Sequence, residues 1–364
     1  MPVPLISYLL PSGELTHGFQ PSMPTELVIK GYRTMKLTRH LDERMITLQR
    51  QGTITFALSA LGEEACAVGS AAALELSDWL YPQYREAGIL FWRGCTPLQY
   101  VHHMFGDKED WNYGRQMPNH FGSRELNVVT VSSPIGTKIP HAAGCAYAMK
   151  LQREPNVAVC YFGEGASSEG DFHTGLNFAA VRRAPVIFFC RNNCYAISTP
   201  ASKQFMSDGV AGQALGYGMI TYRVDGNDFF AIQDTVRLAR TQCLEGTGPI
   251  FIEAMTYRMG AHSTADDPSL YRSDAELASW KERCPILRLR RYLEREQLWN
   301  PKKEEECTEE IANEVSQAIA IAKETPRASL SYLVEHVYFE LPLKLKQQYS
   351  AVRDLFGEDP ACQK

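Results

Sequence analysis

Short apolar runs alternate with an amphipathic segment near the middle of the chain. Residues 156–162 and 185–190 each have the length of a strand and few polar side chains. Residues 171–182 between them have helical length, with Phe172, Leu176 and Ala179 on one face. Continuous apolar runs of this kind are typical of strands that are buried on both faces of a parallel sheet. The pattern therefore predicts a β-α-β unit with a right-handed crossover, inside an α/β fold.

The same periodicity predicts further elements on both sides of this unit. Helices are predicted at 25–51, 65–74, 96–104, 274–283, 286–296, 303–324 and 344–356, and later strands at 220–224 and 250–254. Loops are expected at 81–86, 107–124 and 258–273, and a Pro-rich, irregular arm at 1–23. We expect three regions: an N-terminal arm and helix (1–60), an α/β domain (61–275) and a C-terminal helical region (276–364).

An acidic residue stands in a Gly-x-Gly turn directly after the first predicted strand. Glu164 lies between Gly163 and Gly165, and Asn193 follows the second strand. The carboxyl ends of nearby parallel strands lie about 5–10 Å apart, at the edge where open α/β sheets bind ligands. Magnesium prefers hard oxygen ligands, often shared with phosphates. A carboxylate from Glu164, an amide oxygen from Asn193 and the backbone carbonyl of Tyr195 would supply three of its six ligands.

The small residues of this turn favour a diphosphate ligand. Gly165 and Ala166 let the backbone approach the phosphates, and the helix that follows presents its N-terminus to the anion. The motif is similar to the magnesium and diphosphate motif of thiamine diphosphate enzymes. A nicotinamide site is the alternative, but residue 168 is Ser where a dinucleotide turn needs Gly or Ala. The next strand also ends in Arg191-Asn192-Asn193 and lacks the acidic residue that such a site needs.

Composition narrows the possible partners and compartment. The chain has 364 residues, 45% of them hydrophobic and 22% charged, and its net charge of −5 favours neither nucleic acid nor an anionic membrane. No apolar run reaches the roughly 20 residues of a membrane span. The ten cysteines show no repeated paired spacing, so we expect reduced thiols. The N-terminus resembles neither a signal nor a transit peptide. We expect the bacterial cytoplasm, or the mitochondrial matrix if the sequence is a processed eukaryotic form.

Further motifs occur in a fixed order over about residues 25–345. They lie at 83–88, 114–118, 131–134, 163–171, 188–193, 195–200, 253–258, 260–267 and 271–273. In this order they resemble the α subunits of branched-chain 2-oxo acid dehydrogenases, the decarboxylating components of multienzyme complexes in branched-chain amino acid catabolism. Related α subunits that act on pyruvate or acetoin are the alternative, but they usually differ in the Glu164 turn and after the Asn pair.

The resemblance implies a thiamine diphosphate-binding fold, a mostly parallel sheet flanked by helices with helical N- and C-terminal extensions. It also implies roles for individual residues. Magnesium would be held by Glu164, Asn193 and the carbonyl of Tyr195. The diphosphate would be reached by Tyr84, Arg85, Arg191 and His262, and the cofactor would be lined by Ser133, Gly165 and Ala166. Guanidinium groups suit phosphate oxygens, and His262 has a side chain suited to proton transfer, so it is the candidate catalytic residue. His120 is expected to be structural.

The resemblance implies partners as well. The chain is long enough for the diphosphate-binding domain alone, so the glutamate that activates the cofactor would come from a β subunit in an α2β2 heterotetramer. The substrates would be a small-molecule 2-oxo acid and a lipoyl group on the acyltransferase core of the complex. Two other functions remain open. Chain length argues against a self-sufficient thiamine enzyme, and the intact Glu164, Asn193 and His262 argue against a silent paralogue.

Lys138, Ser263 and Ser273 bear on ion binding and regulation. In the family, the Ser-Ser-Pro block is usually followed by Thr and Gln that help to bind potassium. Here Thr137 is followed by Lys138, whose ammonium has the charge of potassium. We therefore hypothesise that Lys138 replaces the bound ion. Ser263 and Ser273 match positions that a kinase modifies in mitochondrial relatives, and without a transit peptide we expect no such regulation here.

Overall fold

A parallel sheet forms the centre of the computed structural model, which describes residues 2–357. The strands are β1 Leu5–Ile6, β2 Trp79–Tyr81, β3 Ala158–Gly163, β4 Val186–Asn192, β5 Tyr195–Ala196, β6 Thr199–Pro200, β7 Ile220–Asp225 and β8 Ile250–Met255. Six of them form the main sheet in the order β1-β7-β8-β4-β3-β2, and all of its pairs are parallel. The strands β5 and β6 form a separate antiparallel pair.

Helices cover both faces of this sheet. They are α1 Thr25–Arg50, α2 Glu64–Ala71, α3 Ala87–Trp92, α4 Pro97–Phe105, α5 Lys138–Gln152, α6 Gly170–Arg182, α7 Ala201–Gln204, α8 Ala211–Gly216, α9 Phe229–Leu244, α10 Asp274–Lys281, α11 Pro285–Arg295, α12 Pro301–Glu324 and α13 Leu343–Phe356. Short 3₁₀ turns occur at Glu164–Ser168, Pro268–Leu270 and Leu330–Leu333. The predicted α/β class is confirmed. Within residues 2–357, no helix combines the length and the apolar character that crossing a bilayer requires.

Alternate residues of the central strands point into two different cores. On β3, Val159 and Tyr161 pack with α1, α2 and α9, whereas Cys160 and Phe162 pack with α5 and α6. Because both faces are buried, nearly every position of these strands is apolar, as the sequence pattern indicates. The α6 helix buries Phe172, Leu176 and Ala179 on one face, as predicted.

The carboxyl ends of β3 and β4 lie side by side at one edge of the sheet. The two strands are direct neighbours, and Gly163 pairs with Arg191 in their register. The β4 strand continues through Asn192, two residues beyond its predicted end. Glu164 and Asn193 therefore leave the sheet at the same level from adjacent strands.

Several local predictions were wrong. Tyr81 belongs to β2 and not to a loop, and the helices α3 and α5 were not predicted because one is very short and the other is rich in Ala. The N-terminal arm was predicted to be irregular, yet Leu5–Ile6 pairs with β7.

The arm is also held by a buried carboxylate. Asp228 Oδ2 accepts hydrogen bonds from the backbone nitrogens of Tyr8 at 2.6 Å and Leu9 at 2.7 Å. Such contacts between distant segments cannot be read from local periodicity.

The boundaries near residues 60 and 275 stay predictions, and residues 358–364 of the predicted C-terminal region lie outside the described residues.

Candidate functional site

A cavity of about 400 Å³ opens beside the carboxyl ends of β3 and β4. Every predicted site residue lines it: Tyr84, Arg85, Ser133, Glu164, Gly165, Ala166, Arg191, Asn193, Tyr195 and His262. They come from segments as far apart in the sequence as residues 84 and 262. The fold thus brings the predicted residues together, while their individual roles stay predictions.

The three candidate metal ligands follow the two strand ends. Glu164 is buried at the start of the 3₁₀ turn after β3, and its Oε2 accepts a hydrogen bond from the backbone nitrogen of Asn193 at 3.2 Å. Cys194 then has a φ of 75°, which turns the chain sharply after the strand. Asn193 Oδ1 accepts from the backbone nitrogen of Tyr195 at 3.3 Å. One carboxylate, one amide and one backbone carbonyl, from the turns after two adjacent strands, thus belong to residues that line the cavity.

The electrostatics around Glu164 favour a bound cation. Burial, and to a lesser extent the neighbouring Glu63, raise the pKa of the Glu164 carboxyl above its usual value. Buried carboxylates are costly unless a positive charge or hydrogen bonds compensate them. A divalent ion bound to Glu164 would provide that charge. In residues 2–357 no cluster of three or more His, Cys, Asp or Glu side chains could hold a metal, so a site here would rest on this mixed oxygen set.

Gly165 permits close approach in the turn itself. A Cβ atom at this position would lie 2.8 Å from the Cβ of Ala196, closer than side chains tolerate. The neighbouring Ala166 is buried, and Gln83 Oε1 accepts a hydrogen bond from the backbone nitrogen of Gly163 at 2.8 Å. The turn is therefore fixed from both sides, with backbone exposed where a ligand could approach.

Arg85 supplies a positive charge that no carboxylate in residues 2–357 neutralises through an ion pair. Its guanidinium donates to the carbonyl oxygens of Ser59 and, at 2.7 Å, His262. Burial lowers the pKa of Arg85, yet the side chain stays charged at neutral pH because arginine pKa values are so high. An anionic ligand such as a diphosphate would compensate this buried charge.

His262 lies next to Arg85 and is neutral at physiological pH. Burial and the nearby charges of Arg85 and Arg258 lower the pKa of the His262 imidazole to about 4. Its ring meets that of Tyr84 edge-on at 6.5 Å, and its Nδ1 lies 3.3 Å from Arg85. A neutral imidazole at the cavity wall can accept a proton or donate its own ring hydrogen.

Arg191 is held between two buried glutamates that sequence reasoning missed. Its Nη1 lies 2.5 Å from Glu63 Oε2, and its Nε lies 2.5 Å from Glu86 Oε1. Burial alone would lower the pKa of Arg191, but the two carboxylates raise it overall. Nη2 remains for a ligand, with Gln83 Oε1 at the outer limit of a hydrogen bond, 3.5 Å away.

Ser133 and His120 form a hydrogen-bonded pair that also lines the cavity. His120 was expected to be structural, but its ring lines the cavity and its Nε2 lies 2.6 Å from Ser133 Oγ. Its Nδ1 lies 3.0 Å from the carbonyl oxygen of Pro118 and must carry the hydrogen of that bond. In the neutral form of the ring, Nε2 is then the acceptor for the Ser133 hydroxyl.

Arg258 joins the metal-ligand turn to the loop that carries His262. This buried side chain donates to the carbonyl oxygen of Tyr195 at 3.0 Å and to the hydroxyl of Tyr271 at 2.9 Å. The Tyr271 hydroxyl in turn donates to Asp266 Oδ2 at 2.6 Å. The same carboxylate oxygen also accepts a hydrogen bond from the backbone nitrogen of His262 at 2.7 Å. A carbonyl oxygen has two lone pairs, so the Tyr195 carbonyl retains one for a metal.

Other cavity residues carry little or no signal in the sequence. The apolar part of the wall is formed by Phe56, Leu58, Met117, Ile135 and Ile197. Gln83 and Met117 lie inside recognised motifs, which could have pointed to them. Phe56 and Leu58 lie in an irregular stretch with no motif, and only the fold brings them to the cavity.

Comparison with known proteins agrees with this geometry. The family model described as "Dehydrogenase E1 component" matches residues 32–331. Proteins named 2-oxoisovalerate dehydrogenase subunit alpha, mitochondrial, are 47% identical in Caenorhabditis elegans, 45% in Dictyostelium discoideum and 46% in Homo sapiens. These matches cover 90%, 92% and 93% of this chain and 76%, 77% and 77% of the relatives. The chain therefore belongs to the dehydrogenase E1 component family.

Proposed function

We propose that this chain is the α subunit of the decarboxylating component of a branched-chain 2-oxo acid dehydrogenase complex. It would bind thiamine diphosphate with Mg²⁺, oxidatively decarboxylate a 2-oxo acid and transfer the acyl group to a lipoyl group. One observation carries the proposal: a single cavity is lined by three candidate metal ligands and by two arginines that suit a diphosphate. They are Glu164, Asn193 and Tyr195, and Arg85 and Arg191. The branched-chain type is favoured over pyruvate and acetoin because relatives with 45–47% identity carry the 2-oxoisovalerate name.

Each group of residues has a distinct task in this proposal. The three oxygen ligands would hold Mg²⁺, and Tyr84, Arg85 and Arg191 would hold the diphosphate. When bound, thiamine diphosphate supplies the electron sink that decarboxylation needs. Ser133 and the small residues of the turn line the cofactor. His262 accepts or donates a proton at its ring, which is neutral because its pKa is lowered.

A β subunit completes the active site in this proposal, in an α2β2 assembly that docks on a lipoyl-bearing acyltransferase core. The relatives are named as alpha subunits, which supports a separate partner chain. Their names also include the word mitochondrial. We therefore favour the mitochondrial matrix over the bacterial cytoplasm. Because a kinase modifies the positions of Ser263 and Ser273 in mitochondrial relatives, phosphopeptide mapping should test whether these two residues are phosphorylated here. In the structure Ser273 caps α10 by accepting from the backbone nitrogen of Glu276 at 3.2 Å.

The purified chain alone should give negligible oxidative decarboxylation of 3-methyl-2-oxobutanoate. Activity should appear when the matching β subunit is added, because in this proposal the glutamate that activates the cofactor comes from that subunit. The measurement is reduction of an artificial electron acceptor, with pyruvate as the comparison substrate. Full turnover by the isolated chain would contradict the proposal, and a preference for pyruvate would favour the alternative.

Lys138 is proposed to replace a bound potassium ion. It is the first residue of α5, where a positive charge opposes the helix dipole, and its side chain is partly buried. Nearby, the hydroxyls of Ser132 and Thr137 lie 2.7 Å apart, and Thr137 donates to the carbonyl oxygen of Pro134 at 3.0 Å. These oxygens belong to the segment that would otherwise surround the ion.

Exchange of potassium for choline should therefore leave the activity of the α2β2 assembly nearly unchanged. The Lys138→Gln variant should instead need potassium, since the amide supplies an oxygen but no charge. Initial rates across a potassium titration measure both effects. A strong potassium requirement of the unaltered protein would show that Lys138 does not take the place of the ion.

A further inference from the structure

Glu63 contacts two residues that line the cavity, and it is not itself one of the candidate ligands discussed above. It immediately precedes α2 and is 1% exposed. Its two carboxylate oxygens have different partners: Oε1 accepts from Asn193 Nδ2 at 3.0 Å, and Oε2 accepts from Arg191 Nη1 at 2.5 Å. One buried carboxylate thus contacts both a candidate metal ligand and a candidate phosphate ligand, more than 120 residues away in the sequence.

The contact with Asn193 decides which end of its amide faces the cavity. An ionised carboxylate only accepts hydrogen bonds, so Glu63 can bind the NH₂ group of Asn193 but not its oxygen. Asn193 Oδ1 is therefore turned away from Glu63, towards the backbone nitrogen of Tyr195 at 3.3 Å. Without Glu63, rotation of the amide by half a turn would place hydrogen atoms where a cation needs an oxygen.

The contact with Arg191 fixes the guanidinium in the same way. Glu63 and Glu86 engage Nη1 and Nε, so the remaining nitrogen, Nη2, is directed by the geometry of the group. Two carboxylates around one guanidinium leave an excess negative charge next to buried Glu164. This excess matches a divalent cation better than it matches an anion alone.

We propose that Glu63 is a positioning residue that orients the Asn193 amide towards magnesium and the Arg191 guanidinium towards the diphosphate. The inference rests on the proposed function. It means that binding of both the metal and the phosphates depends on Glu63, a residue that is not itself a ligand.

The test uses the α2β2 assembly and calorimetric titration with thiamine diphosphate and MgCl₂. Partners behind a metal ligand typically contribute about 10- to 100-fold to affinity, so Glu63→Ala should weaken binding by about that factor. Glu63→Gln should lose less, because its amide oxygen can still accept from Asn193 while its NH₂ group opposes Arg191. The Gln variant also decides the question if Glu63→Ala does not assemble.

Glu64 provides a matched control. It is the next residue, it is also buried, and its Oε1 pairs with Arg39 Nε at 2.7 Å without a hydrogen bond to Asn193 or Arg191. Glu64→Gln should therefore bind the cofactor within about twofold to threefold of the unaltered protein, because residues that share no contacts contribute independently. A comparable loss in both variants would mean that Glu63 acts only through general stability and would overturn the inference.

A double-mutant cycle separates positioning from stability. In an Asn193→Ala background the Glu63→Ala change should lose the part of its effect on binding that acts through the Asn193 amide, and keep the part that acts through Arg191, because residues that share a contact are non-additive. Full additivity, or a Glu63→Gln affinity within about twofold of the unaltered protein, would overturn the inference. If the unaltered assembly itself failed to bind thiamine diphosphate with Mg²⁺, the proposed function would fail instead.

Discussion

Replacement of Glu164 by Ala should abolish magnesium-dependent binding of thiamine diphosphate to the α2β2 assembly. Of the three candidate ligands, only Glu164 has a side chain that can carry a negative charge, and it is buried and lines the cavity. Loss of a residue behind a ligand costs about 10- to 100-fold in metal affinity, so loss of the ligand itself should cost at least about 100-fold. Calorimetry with cofactor and MgCl₂ measures the effect directly.

Glu169 offers a control for this experiment, because it lies five residues further on and is exposed. Glu169→Ala should bind the cofactor as the unaltered protein does. If Glu164→Ala bound thiamine diphosphate normally in the presence of magnesium, the assignment of this edge of the sheet as a metal site would be wrong, and the proposed function would lose its main support.

Replacement of His262 by Ala should lower the turnover number by about 100- to 10,000-fold, the usual contribution of a proton-transferring side chain. The effect on cofactor affinity should be much smaller, because Arg85 and Arg191 remain to hold the diphosphate. Turnover and cofactor affinity are measured separately on the same preparations. His17→Ala, at an exposed position, serves as the control.

The pH dependence gives a second test of His262. Its pKa is lowered to about 4, so the imidazole is neutral from about pH 6 to pH 8 and should produce no loss of activity in that range. Removal of a neighbouring positive charge by Arg85→Gln should raise the His262 pKa, so protonation of the ring should then begin closer to neutral pH. An NMR titration of the ring would show the shift, and an unchanged pKa would contradict the electrostatic account.

The sequence was most informative for candidate functional residues that directly follow a predicted strand. Glu164 and Asn193 could be placed at one edge because apolar runs mark β3 and β4, and parallel strands end at the same edge. Arg85 and His262 could not be placed by periodicity, because each lies in irregular backbone. The resemblance of their motifs to a known family supplied those two residues, and the fold brings them into contact at 2.7 Å.

What the sequence did not reveal depends on contacts between distant segments. Glu63 and Glu86 precede Arg191 by more than 100 residues, and nothing in their local sequence indicates that they hold it. The hydrogen bond between His120 and Ser133 likewise joins two loops. Buried polar pairs are specified by the whole fold, so they escape methods that read only local patterns.

The two-residue strand at Leu5–Ile6 has a consequence for how this protein can be handled. It covers the open side of β7, whose backbone groups would otherwise be free to pair with another chain. Proteolytic removal of this segment, or a bulky fusion ahead of it, would expose the edge of β7. It would also remove the backbone donors of the Asp228 carboxylate. Preparations with a heterogeneously truncated amino terminus would then be prone to self-association, whereas a carboxyl-terminal affinity tag leaves the pairing of β1 with β7 intact.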